Sequence, residues 1–116
     1  MLYNNIVINS YVSSVPSDMI ADFCKRWKIR ELALFGSALR QDFRPDSDLD
    51  MVATFAVDTD WGLLDHIQMQ LELQRLFNRN VDLYSRRGLE QSHNWLLREE
   101  ILNTAEALYP HARGVS

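Results

Sequence analysis

Three aspartates fall within five positions, at Asp46, Asp48 and Asp50, in the stretch "FGSALRQDFRPDSDLDM". Like charges repel, so the cluster costs stability unless something positive sits there. A Gly36-Ser37 pair precedes it, and ten residues separate that pair from Asp48. Strand side chains alternate faces. If "DLDMVATF" is a strand, Asp48, Asp50, Val52 and Thr54 share one face, and Leu49, Met51, Ala53 and Phe55 the other. A further carboxylate, Asp82 in "NVDLY", lies between Val81 and Leu83, which are expected to face a core. If the two strands are neighbours, Asp48, Asp50 and Asp82 converge. Such an oxygen cluster suits Mg²⁺, a hard ion that takes carboxylate, water and phosphate oxygens. It does not suit zinc, because the stretch holds no histidine or cysteine.

Gly36 and Ser37 supply the anion-binding half. Glycine lets backbone approach a ligand closely. N–H groups at a helix start attract phosphate, Ser37 adds a hydroxyl donor, and Arg40 falls one turn into the short helix expected for "SALRQDF". A phosphate-binding turn beside a metal-binding carboxylate group is equipment for phosphoryl or nucleotidyl transfer. Each piece alone is ordinary: a common Gly-Ser turn, a solvated Asp46-Ser47-Asp48 turn or cap, a surface Asp82. The ordered combination, on strands, points to the chemistry.

The positioning elements read as alternating helices and strands, an α/β (α+β) chain with a small mixed sheet and packed helices. "DMIADFCKRW" places Ile20, Phe23 and Trp27 on one helical face, with Ser17 as the expected cap. Strands are expected at 30–35, 48–55 and 80–85, and a loop at "VDTDWG". The clearest helix is 63–77. A single helix over 89–108 would carry Leu89, Leu96, Leu97, Ile101, Ala105 and Leu108 on one side, ahead of a frayed tail.

Composition bounds the rest. The 116 residues, 47% of them hydrophobic, suit one domain, 1–116, with one core. A net charge of −4 argues against a surface that tracks nucleic acid. The single cysteine, Cys24, excludes an internal disulfide and fits a reducing cytoplasm. No signal peptide or membrane span is expected.

The string Gly36-Ser37, ten residues, Asp48-x-Asp50 resembles the signature of the DNA polymerase β-like nucleotidyltransferase superfamily. Within it, "LFGSALRQDFRPDSDLDMVATF" is similar to the minimal nucleotidyltransferases (MNT) of prokaryotes, antitoxin halves of HEPN/MNT toxin–antitoxin pairs. The likeness runs from about Glu31 through Leu108. It implies the nucleotidyltransferase fold, Mg²⁺, and ATP as nucleotide donor. It implies Asp48, Asp50 and Asp82 as catalytic metal ligands, and Gly36 and Ser37 as phosphate contacts. It also implies a HEPN-type toxin partner, whose tyrosine receives AMP so that its ribonuclease is blocked. Many members carry a basic residue directly after Gly-Ser. Here that place is Ala38, and Arg40 keeps the second basic position.

With no acceptor-binding domain in 116 residues, the acceptor is expected to be held by this domain's surface or by a partner. Two rivals stand beside protein modification: transfer to a small molecule, and a non-catalytic module that blocks a toxin by occlusion. The 63–77 helix bears on partners. Asp65, Gln68, Glu72 and Arg75 form a narrow polar strip, and apolar residues cover most of the remaining circumference. The surplus predicts a second buried contact, to another subunit or protein, or cover by this chain's N-terminal segment or C-terminal helix. The stripe of Met69, Leu73, Leu76 and Phe77 is one candidate outward face. His66 and His93 lack a ligand partner at metal spacing and read as structural or exposed. His111 lies in the tail, and Arg86-Arg87 is either a solvated loop or a phosphate or acidic-partner contact.

Overall fold

A computed structural model describes residues 15–36, 48–91 and 93–110, except the side chains of Leu97, Glu100 and Leu102. The helix expected for "SALRQDF" and the frayed tail lie outside the described residues, as do Ser37, Arg40, Asp46 and His111.

Apolar spacing and strand alternation translate directly into layers. The first helix, α1, spans Ser17–Arg26 and buries Ile20, Phe23 and Cys24. Ser17 does not cap it. Pro16 occupies the cap position, and its carbonyl accepts from the Met19 and Ile20 N–H groups. Strand β1 follows at Ile29–Phe35, and β2 at Leu49–Phe55. Helix α2 spans Leu63–Phe77 and stops at Asn78, whose φ of 55° is left-handed. Strand β3 is Val81–Ser85.

The C-terminal part is not one helix. It divides into α3, Arg86–Glu90, α4, Trp95–Thr104, and strand β4, Glu106–Tyr109. Leu89 and Ile101 are buried as expected from the apolar stripe, but Leu96 is exposed. Leu108 reaches the core from a strand. Pairing with the open edge of β1 outweighs continuation of the helix, because it satisfies a row of backbone groups at once.

The sheet order is β3-β2-β1-β4. β1 is antiparallel to β2 and β4, and β2 is parallel to β3. One sheet face carries the main core. There α1 and α2 bring Phe23, Cys24, Met69 and Leu73 onto Leu32, Leu34, Met51 and Leu83. Burial in this core pushes the Cys24 thiol up to about 12. Met69 is therefore interior, with 0% exposure, and is not on an outward stripe. On the other face Ala33, Phe35, Val52, Leu89 and Ile101 form a smaller cluster with Tyr84.

The loop before α2 is latched to α1. Trp61 Nε1 donates to the Trp27 carbonyl at 2.8 Å, and the two indole rings meet edge-on at 5.1 Å. Glu72 accepts from Arg26 and Trp27, each at 3.2 Å. Burial alone would raise this carboxyl. The donors Trp27, Arg26 and Gln68 outweigh that and hold it below its ordinary value.

Candidate active site

The site is built where β1 ends and β2 and β3 begin. Asp50 is the second residue of β2 and Asp82 the second of β3. The parallel register sets Asp50 directly beside Asp82, and the antiparallel register sets Phe35 on the other side of Asp50. Flanking Leu49, Met51, Val81 and Leu83 are buried in the main core, so strand alternation turns both carboxylates to the opposite face. Asp50 is half-buried there and Asp82 is exposed. Asp48, exposed, lies one residue before β2.

Gly36 closes the group. It follows β1 directly and has a φ of 75°, a left-handed conformation that L side chains rarely adopt. A β-carbon built there would stand 2.6 Å from Asp50 Oδ2. The turn thus requires glycine on two counts, backbone conformation and space for the Asp50 carboxylate. The expected proximity of Gly36 to the carboxylates holds for Asp50, which lies far along the chain from it.

Beneath the carboxylates lies an aromatic floor that sequence reasoning passed over. Tyr84, two residues after Asp82 on the same strand face, meets the Phe35 ring at 5.5 Å and 63°. β2 runs between their strands, so the two rings close over it. Burial, then the charges of Asp50 and Asp82, raise the Tyr84 hydroxyl above its ordinary value. The signal was available: strand alternation puts Asp82 and Tyr84 on one face.

Other candidates fall elsewhere. Arg86 and Arg87 open α3 at the far end of β3, about 13 Å along the strand from Asp82. His66 packs against β3, its Nε2 2.7 Å from the Leu83 carbonyl. A carbonyl only accepts, so Nε2 carries the proton. His93 is exposed.

Two carboxylates in register on neighbouring strands repel, which is an arrangement that a cation relieves. Among the described residues, no three His, Cys, Asp and Glu side chains group closely enough to hold a metal ion. The expected three-way convergence of Asp48, Asp50 and Asp82 is therefore not formed: Asp50 and Asp82 stand in register, and Asp48 lies one residue before β2 without completing a group with them.

The family model for the nucleotidyltransferase domain matches residues 17–108. The chain belongs to this nucleotidyltransferase family. The domain is similar to a solved structure described as a minimal nucleotidyltransferase, at 31% identity over 85% of this chain and 93% of that one, with a TM-score of 0.64. A chain of a toxin–antitoxin complex with AMP-PNP shares its fold at 20% identity, covering 82% of this nucleotidyltransferase and 73% of that chain, TM-score 0.63. So does a chain of the complex between tri-AMPylated Shewanella oneidensis HEPN toxin and MNT antitoxin. There the identity is 21%, over 80% of this chain and 68% of that one, TM-score 0.56. No protein with a curated function matches the chain. Among the described residues, no helix of the nucleotidyltransferase is long and apolar enough to cross a membrane.

Proposed function

We propose that this nucleotidyltransferase is the antitoxin of a toxin–antitoxin pair and transfers AMP from ATP to a tyrosine of a HEPN ribonuclease partner. The observation that carries the chemistry is the in-register pair Asp50–Asp82, with Asp50 set against Gly36. The 31% identity to a minimal nucleotidyltransferase supports the subfamily. The partner and acceptor are suggested by the fold's likeness to chains in HEPN/MNT complexes, one with a tri-AMPylated toxin.

The transfer balances as a displacement at the α-phosphorus of ATP. The acceptor oxygen forms the new P–O bond, the bond to the bridging oxygen breaks, and pyrophosphate leaves with the electron pair. Asp50 and Asp82, with Asp48 at the strand entry, are the residues to hold Mg²⁺. When bound, Mg²⁺ neutralises phosphate charge and favours the ionised attacking oxygen. In this reading Asp82 takes the hydroxyl proton, a role that its exposure on the edge strand supports. Gly36 admits close approach of a phosphate to the backbone, and Ser37 and Arg40 are the proposed further phosphate contacts.

The test is intact-mass analysis of the HEPN partner co-expressed with this chain. The expected result is partner mass raised by one or more AMP groups, and an unmodified partner with Asp50→Asn. An inhibited but unmodified partner with the wild-type chain would establish occlusion instead. Label from ATP on a small molecule, with none on the partner, would make the small molecule the acceptor.

A further inference from the structure

The outer face of α2 is apolar and uncovered among the described elements. Leu63 is 75% exposed, Leu64 80%, Ile67 45% and Leu71 42%. Leu64, Ile67 and Leu71 follow a three-then-four spacing, the seam pattern that packs one helix against another. The C-terminal part does not supply that cover. α4 packs against α3 and β1, and β4 pairs with β1, on the side of the sheet away from β3.

The same helix seals the sheet edge beside it. Gln70 Oε1 accepts from the Leu83 N–H at 2.9 Å, His66 donates to the Leu83 carbonyl, and Gln74 donates to the Val81 carbonyl at 3.4 Å. These three side chains, four residues apart, occupy the backbone groups that an incoming strand would need. A partner at this side of the molecule therefore meets a helical ridge, not an open strand.

We propose that this ridge joins two copies of the chain, with α2 packed antiparallel on its twofold mate. The four exposed side chains centre on Ile67, and a twofold contact uses the same patch on both subunits. Placing the axis at Ile67 sets Ile67 against the mate's Ile67, and Leu71 against the mate's Leu63 and Leu64. The charges then complement one another. Arg75 lies eight residues beyond the axis, about 12 Å along the helix. Asp58 and Asp60 lie in the loop that leads into α2, at the end of the helix opposite Arg75. All three are exposed, and none has an ion-pair partner among the described residues. The antiparallel arrangement brings Arg75 of each copy toward the acidic loop of the other, at both ends of the seam. One short helix and its loop make a small interface, at the transient end of the range for protein pairs. The inference is independent of the catalytic reading, since the carboxylates face away from α2.

Sedimentation velocity on the full chain, over a wide concentration range, tests it. The expected result is a concentration-dependent monomer–dimer equilibrium. Ile67→Glu and Leu71→Glu should be monomeric throughout, and Met19→Glu, on exposed α1 surface, should dimerise as wild type does. Arg75→Glu should weaken the dimer, and Arg75→Glu with Asp60→Arg should restore it. Oxidation should cross-link Ile67→Cys to itself. Leu71→Cys should cross-link to Leu63→Cys in a mixture, in preference to another Leu71→Cys. A wild-type chain that stays monomeric at every concentration overturns the proposal. So does a dimer that Ile67→Glu leaves intact. If the chain is monomeric alone and Ile67→Glu instead weakens capture by a HEPN partner, the ridge belongs to that partner and the self-contact is wrong.

Discussion

A β-carbon at position 36 would meet Asp50 Oδ2 at 2.6 Å, on a backbone whose φ is 75°. Gly36→Ala therefore forces two adjustments. The left-handed conformation costs an L residue roughly 1–2 kcal/mol, and the Asp50 carboxylate must rotate away. The expected outcome is a modest loss in urea stability with loss of nucleotide transfer, because the moved oxygen is one that would hold Mg²⁺. Wild-type transfer by Gly36→Ala would show that Asp50 need not keep this position. Asp82 makes the complementary case. Its charge stands in register with Asp50, and a directly opposed like-charge pair is destabilising. Asp82→Asn should raise the metal-free melting temperature slightly and abolish the further rise given by Mg²⁺ with ATP, a linkage effect. An equal Mg²⁺-ATP increment in wild type and Asp82→Asn would remove Asp82 from the metal site. Both residues were legible in the sequence through spacing and alternation. Tyr84 was not singled out, because a lone tyrosine in a strand carries no motif and its link to Phe35 crosses from β3 to β1.

At the scale of elements, legibility followed how local the deciding interactions are. The strand near 48–55 and the helix 63–77 emerge at the expected places, because alternation and helical periodicity act within a few residues. The C-terminal stripe was misread for the same reason. Leu89, Ile101 and Leu108 lie at helical spacing, yet two helices and a strand bury them equally well, and β4 forms only because β1 offers an edge far away in sequence. Nor could periodicity choose between the two apolar stripes of α2. Met69 and Leu73 became interior because the sheet lies on their side. The polar strip of α2 has its own role, since Glu72 ties α2 to the end of α1. Its carboxyl is held below its ordinary value, so the folded state binds that proton less tightly than the unfolded chain does. The resulting stabilisation is fully present above the ordinary glutamate range and is lost as pH falls through the depressed folded value. Glu72→Gln should thus cost stability at neutral pH, no more than about 1 kcal/mol because Arg26 is largely solvated. In urea titrations the gap from wild type should shrink on acidification. A gap unchanged by pH would mean that packing, not charge, makes Glu72 matter.

The whole molecule sets the carboxylates and the apolar ridge on opposite sides of one sheet. Asp50 and Asp82 turn to the face of the Phe35–Tyr84 floor, whereas α2 packs on the opposite face and carries its exposed ridge outward. His66 and Gln70, which tie α2 to Leu83 beside Asp82, are not ridge residues, so a polar change on the outer ridge leaves those bonds to β3 in place. Chemistry and assembly should therefore separate by mutation. Asp82→Asn should lose Mg²⁺-ATP stabilisation and AMP transfer and keep the wild-type sedimentation profile, because it preserves shape and lies away from the ridge. Ile67→Glu should keep the Mg²⁺-ATP increment and lose self-association, because its side chain is already half in solvent and need not disturb the core. Met69→Glu is the contrasting control. At 0% exposure it would bury a charge without a partner, and it should unfold the chain and lose both properties together. Thermal shift with Mg²⁺-ATP, run beside sedimentation on all three variants, decides the matter. If Ile67→Glu folds with a wild-type melting temperature but no longer responds to Mg²⁺-ATP, the two faces are coupled and the division of labour is wrong.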